Sequence, residues 1–227
     1  YVLMRFWGAR RGIAVTGILG GLASSTATTL GLSQQARDAQ SSAARYFALG
    51  IVIASTIMFL RVLFLVFVIH PPLGWALALP IALPTAVGLA LAGFFWRRKH
   101  EGAEAQLQVK NPMELGQAIK FALLFGVVLF AARASHFYFG TAGVYIASGL
   151  AGLTDVDAIT VANAGLARDN VMELGTASAS IILAMAANTL VKGGIAAVLG
   201  GKALRAALVP AFLALFAASV AMFIWAA

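Results

Sequence analysis

The sequence predicts an all-α, polytopic integral membrane protein with a two-fold internal repeat, and three observations predict it. Of the 227 residues, 61% are hydrophobic and 11% charged, with a mean hydropathy of +0.92. A soluble chain carries roughly 25% charged residues. Several apolar runs reach the ~20 residues that a helix needs to cross a bilayer. Finally, Gly21-Leu-Ala-Ser-Ser-Thr-Ala-Thr-Thr-Leu30 has a counterpart 131 residues on (152 − 21), Gly152-Leu-Thr-Asp-Val-Asp-Ala-Ile-Thr-Val161.

The repeat extends beyond the motif. Aligned without a gap from position 12 to 38, nine of 27 pairs are identical, among them Gly12 with Gly143, Gly21 with Gly152 and Thr29 with Thr160. Ala36-Arg37-Asp38 returns as Ala167-Arg168-Asp169. One transmembrane domain is expected over 1–227: a first copy at about 1–96, a basic linker at 97–112 and a second copy at about 113–227.

In chain order, residues 1–11 end in Arg5, Arg10 and Arg11 and read as the tail of an apolar helix, so a longer native N-terminus is expected. Residues 12–33 are small and apolar. Gly17 and Gly21, echoed by Ser148 and Gly152, have the spacing that lets helix backbones approach closely in lipid. Residues 46–69 form a 24-residue span, about 36 Å as helix. Pro71-Pro72 stops it, since proline lacks the amide donor and restricts its predecessor. The next span, 73–96, has Trp75 and Trp96 near its ends as an aromatic belt would, and Pro80 and Pro84 are expected to kink it. Asn111, Pro112 and Glu114 carry the N-cap, first-turn and third-position signals of a helix start. Spans at 113–138, 171–199 and 204–225 complete the chain around the second motif.

Whether the motif segments cross or turn back is open on periodicity, and the basic residues weigh on it. If 12–33 and 143–166 both cross, Lys and Arg divide six against eight between the two sides, which orients nothing. If both dip in and return, twelve fall on one side and only Arg133 and Arg168 on the other, a clear cytoplasmic bias. Arms of about 11 residues reach roughly 16 Å, half of a ~30 Å core. Re-entrant or broken helices at the motifs are therefore expected, in copies inverted relative to one another, with loop 97–112 cytoplasmic.

The candidate site follows from the polar residues of the motifs. A charged Asp at mid-bilayer costs about 2.5–3.5 kcal/mol, so Asp155 and Asp157 are expected to be paired, protonated or holding a cation. Ser24, Ser25, Thr26, Thr29 and Thr160 offer neutral oxygens, and oxygen-only ligands suit hard cations, Mg²⁺ included, as substrate. The structural alternative makes Asp155 or Asp157 the cap of the following helix. Arg61 and Lys192, a basic pair at the same 131-residue offset (192 − 61), are charge partners for an Asp or an anionic group, or else snorkel to an interface. Asn188, one turn before Lys192, faces the same interior or bonds a neighbouring helix. Arg37-Asp38 and Arg168-Asp169 read as local ion pairs at the ends of arms.

Other classes are set aside. The net charge of +8 lies at the ends of apolar runs, where membrane orientation explains it and nucleic acid does not. There is no cysteine, hence no disulfide or thiolate metal site. The three His are dispersed, no hydrolase elbow or zinc motif occurs, and Leu199-Gly-Gly-Lys202 lacks the first Gly and the Ser/Thr of a phosphate loop. No enzyme and no cofactor is expected.

Residues 21–29, 152–160 and Ala187-Asn-Thr-Leu-Val-Lys192 resemble a bacterial membrane domain typically fused behind an MgtC/SapB-type segment. The resemblance implies a bacterial inner-membrane protein with a link to magnesium homeostasis or to modulation of other membrane complexes. The function expected is transport or sensing of a small ion or solute, a cation foremost, at the interface of the two copies. The alternative is a non-transporting subunit that regulates or scaffolds a partner complex. The bilayer is the expected partner, with a homo-oligomer or larger membrane complex around it.

Overall fold

The computed structural model describes residues 2–38, 43–97 and 115–226; the expected linker and the Asn111–Glu114 helix start fall almost wholly outside them. Among the described residues seven helices follow one another: α1 (Val2–Asp38), α2 (Ala44–Ile69), α3 (Pro71–Arg97), α4 (Leu115–Thr154), α5 (Val156–Arg168), α6 (Leu174–Leu199) and α7 (Gly201–Ala226). Five segments of these residues are long and apolar enough to cross a membrane: Arg10–Arg37, Ala44–Ile69, Pro71–Arg97, Leu174–Leu199 and Gly201–Trp225. The chain is an all-helical, multi-pass membrane protein.

Local chemistry sets the breaks. Between α2 and α3 only His70 is non-helical. Its N–H still donates to Val66 O at 2.8 Å, and its own carbonyl accepts from Gly74 N at 3.1 Å. Pro71 opens α3, where a missing N–H costs no helical bond. Pro80 and Pro84 do not interrupt α3, and α7 likewise runs through Pro210. The last two spans differ from expectation at their starts. The backbone of 169–173 is used to close α5: Asn170, Val171 and Met172 donate back to Ala167 O, Leu166 O and Leu166 O, and Asn170 takes a left-handed φ of 56°. That is a helix C-cap, so α6 begins only at Leu174, while Gly201 (φ 71°) lets α7 begin three residues early.

Both motif segments reverse direction. In the second, Gly140 (φ 58°, ψ −142°) interrupts α4, and the extended Asp155 (φ −154°, ψ 138°) separates α4 from α5. Asn163 Nδ2 donates to Ser148 Oγ at 3.0 Å, although the two are 15 positions apart. A straight helix would hold them about 22 Å apart along its axis, so α5 folds back along the end of α4.

The first motif lies inside α1, assigned as one helical run, yet it cannot be straight. A Cβ built on Gly20 would lie 3.2 Å from Thr28 Cβ, where eight residues of straight helix rise about 12 Å. Ile13 Cγ2 and Leu32 Cδ1 lie 3.0 and 2.8 Å from one such position on Gly50; 19 straight residues would rise about 28 Å. The chain turns back at Ser24, whose Oγ accepts from Ala27 N at 3.3 Å. Arg10–Arg37, long enough to cross if straight, is two short arms.

The chain divides into two units. Unit one comprises the described residues of Tyr1–Phe59, Pro84–Asn111 and Thr189–Phe216. In it the first arm of α1 runs along α2 at backbone contact: a Cβ on Gly17 would lie 2.6 Å from Gly50 O, and one on Gly21 2.8 Å from Ala54 Cα. Unit two comprises the described residues of Leu60–Leu83, Pro112–Asn188 and Ala217–Ala227. There Gly152 meets the backbone of Ala184 in the same way. Helices α2 and α6 are both 26 residues long and start 130 positions apart (174 − 44). Positions 51–69 and 181–199 show the same order of buried, half-buried and exposed residues.

Candidate site at the tip of the second hairpin

Unit two concentrates the ionisable groups at the Asp155 turn. Asp155 caps α5, with Oδ1 accepting from Asp157 N at 3.3 Å, which satisfies one of the open N–H groups and places a carboxylate at the positive end of the helix. Its other oxygen, Oδ2, is buried with no hydrogen-bond partner among the described residues. Capping therefore uses half of this carboxylate and leaves half. Asp157, two residues on in the first turn of α5, is engaged: its Oδ2 lies 2.7 Å from Arg61 Nη2, with the side chains 21% and 14% exposed. Arg61 reaches it from α2, so the ion pair joins α2 to the start of α5.

A polar node lies deeper in the same hairpin. The Asn163 amide donates to Ser148 Oγ at 3.0 Å and to Ser180 Oγ at 2.8 Å, tying α5 to α4 and α6, and all three residues are fully buried. Ser180 donates onward to Ala177 O at 2.9 Å. Asn188 Nδ2 donates to Gly152 O at 2.9 Å, fastening α6 to the arm just before the turn. Sequence reasoning took Asn188 for a candidate but missed Asn163 and Ser180, and used Ser148 only as a small spacer. Thr160, on α5 between the tip and the node, is fully buried.

The hydroxyls of the first motif belong to unit one. Ser24 is exposed at its turn, Thr26 half-buried, and Ser25 and Thr29 buried. The Thr29 hydroxyl is occupied locally, Oγ1 donating to the Ser25 carbonyl O at 2.8 Å. Lys192 is also in unit one, fully buried, with Nζ 2.9 Å from Met58 Sδ. Arg61 and Lys192, 131 positions apart, do not share a place in their helices: α2 and α6 start 130 positions apart (174 − 44), so Arg61 stands at the helix position of Val191, and buried Lys192 at that of buried Val62.

Arg168 Nε lies 3.1 Å from Asp169 Oδ1 on an exposed turn, a local pair. The side chains of Asp38, Arg133 and His136 lie outside the described ones. Among the described residues no group of three His, Cys, Asp or Glu converges, so a metal at Asp155 and Asp157 would have two carboxylates only, one already facing Arg61.

The match to known families covers residues 1–200, and it is to a domain of unknown function, DUF4010. The chain belongs to the DUF4010 family. An uncharacterised protein of Aquifex aeolicus (strain VF5) is 32% identical over 195 residues, covering 85% of this chain and 84% of its own length. No solved structure matches. The expectation of a domain without an assigned reaction agrees with this DUF4010 match and this relative, neither of which shows the MgtC/SapB association.

Proposed function

We propose that this DUF4010 protein transports or senses a small cation in a bacterial inner membrane, with Asp155 as the working carboxylate. The observation that carries the reading is the half-used Asp155: a buried carboxylate oxygen at the turn of a helical hairpin, beside an Asp157 whose charge Arg61 balances. Ionisable groups at membrane depth are costly and mark ion pathways. With Arg61 at Asp157, the tip carries one net negative charge. That suits a proton or a monovalent cation better than Mg²⁺, which demands near-ideal octahedral oxygens. The resemblance to domains linked with MgtC/SapB proteins is the reason to keep Mg²⁺ among the ions tested.

In this reading the two hairpins are re-entrant halves of an inverted repeat, an arrangement that places broken helices at a binding site. Three features support it: the turns at Ser24 and Asp155 are 131 apart (155 − 24), Gly21 and Gly152 make equivalent contacts, and α2 and α6 share one burial order. The test is flux into proteoliposomes for H⁺, Na⁺, K⁺ and Mg²⁺ in turn. Asp155→Asn should abolish the flux seen with the native protein while elution and melting stay native. Native protein that moves none of the four, or an Asp155→Asn variant that moves them equally well, would overturn the reading in favour of a non-transporting subunit.

A further inference from the structure

The buried polar groups of α5 have no structural task that the fold demands. The molecule supplies its own comparison, because the first hairpin is built alike. At the node, Ser148, Asn163 and Ser180 correspond to Gly17, Leu32 and Gly50 (shifts of 131, 131 and 130), and those three also meet, Leu32 Cδ1 and Gly50 O lying 2.8 and 2.6 Å from Cβ positions on Gly50 and Gly17. The same three-way junction is thus closed without a polar side chain in unit one. Thr160 corresponds to Thr29 (160 − 131), whose hydroxyl is satisfied by Ser25 O; that of Thr160 has no hydrogen-bond partner among the described residues.

Lone buried hydroxyls mark nothing alone, since Ser33, Ser55 and Thr85 of unit one also bury theirs, and a hydroxyl can turn toward a nearby carbonyl. Asn163 Oδ1 and Asp155 Oδ2 are acceptors instead, as Gln35 Oε1 is in unit one, and here two of them lie on one short helix and its cap. Both are buried, both lack a partner among the described residues, and an amide or carboxylate oxygen can only accept. Leaving such an acceptor unmet costs about 1–3 kcal/mol. Asp155 at the cap, and Thr160 and Asn163 on α5, follow one another with axial rises of about 7.5 and 4.5 Å and are turned about 140° and 60° around the axis, so a chain of several waters is needed to join them.

We infer that the second hairpin holds a file of bound waters along α5, from the Asn163 node through Thr160 to Asp155, open to solution and giving that carboxylate its supply of protons. This rests on Asp155 as the working group for its purpose, but the water file stands or falls separately. Water is the ligand of fitting chemistry, because each water brings the donors these oxygens need and buried waters typically make about three such bonds.

The chain has no cysteine, so one introduced thiol reports alone. Thr160→Cys and Thr29→Cys each place a near-isosteric thiol at a fully buried position of the corresponding arm. In proteoliposomes free of chloride, silver ion should react with the thiol at 160 at least tenfold faster than with that at 29, releasing a proton as the silver thiolate forms. Adding Asn163→Leu, the residue that unit one uses at this place, should slow the reaction at 160 at least tenfold in protein that still elutes and melts as a folded species. Equal rates at 160 and 29, or no effect of Asn163→Leu, would overturn the water file. Loss of flux in Asp155→Asn is read independently, so failure of either claim leaves the other visible.

Discussion

Arg61 and Asp157 form an ion pair of 2.7 Å between α2 and the first turn of α5, and this pair fixes where the Asp155 turn lies against α2. Both side chains are largely withdrawn from their surroundings. Removing one partner strands the other, at a cost of about 3–5 kcal/mol, whereas replacing both with apolar side chains of similar size is often neutral. Arg61→Met and Asp157→Leu should each lower stability by that amount, and the double variant should regain most of it. A double-mutant cycle on unfolding in mixed micelles measures this; additive losses would show that the two do not act as a pair.

Gly21 and Gly152 bring their arms to backbone contact with Ala54 and Ala184. No lipid-side repacking makes room there, because the obstacle is main chain. Gly21→Val and Gly152→Val should each destabilise by about 1–3 kcal/mol or more through overpacking. Gly31→Val and Gly194→Val, at positions where an added Cβ meets nothing within 4 Å, should cost well under half of that. Thermal melting of the four variants in detergent compares them directly.

Gly140 has φ 58° and ψ −142°, a region open essentially to glycine alone. Nothing lies within 4 Å of an added Cβ, so the penalty of Gly140→Ala is conformational. About 1–3 kcal/mol of destabilisation is expected, together with local loosening of the join between the arms of α4. Hydrogen exchange across 136–146 checks it: faster exchange there, with α2 and α6 unchanged, is the expected pattern.

The spanning helices were legible because length and apolarity fix them, and Pro71-Pro72 marks a break that the chain makes at His70. The Gly140 interruption was not legible as such: one glycine among 23 carries no sign of its φ. The site was legible in its charges, since Asp155 and Asp157 are conspicuous in an apolar run. It was not legible in its register. Helices α2 and α6 start 130 positions apart, so Lys192 stands one residue past the helix position of Arg61 although the two are 131 apart in sequence. The Ser148–Asn163–Ser180 node was hidden for another reason. Serine in a membrane helix reads as a small spacer, and only the reversal at Asp155 brings residues 15 and 17 positions apart into one cluster.

The reversal of α1 makes a prediction about sidedness that uses one unit alone. Arg11 and Arg37 are both exposed and lie at the two ends of the first hairpin. A segment of this composition that crossed as a straight helix would present them on opposite faces of the bilayer. In the proposed re-entrant reading, the arms folded back at Ser24 reach about halfway into the ~30 Å core and return, and both arginines stay with the headgroups of the side they started from. Single Arg11→Cys and Arg37→Cys variants of this cysteine-free chain should react with a membrane-impermeant maleimide from the same side of oriented vesicles. Ser24→Cys should resist that reagent when Arg11→Cys and Arg37→Cys are complete, because its turn lies at depth. Labelling of Arg11→Cys and Arg37→Cys from opposite sides would return α1 to a crossing helix and remove re-entry from the proposed mechanism.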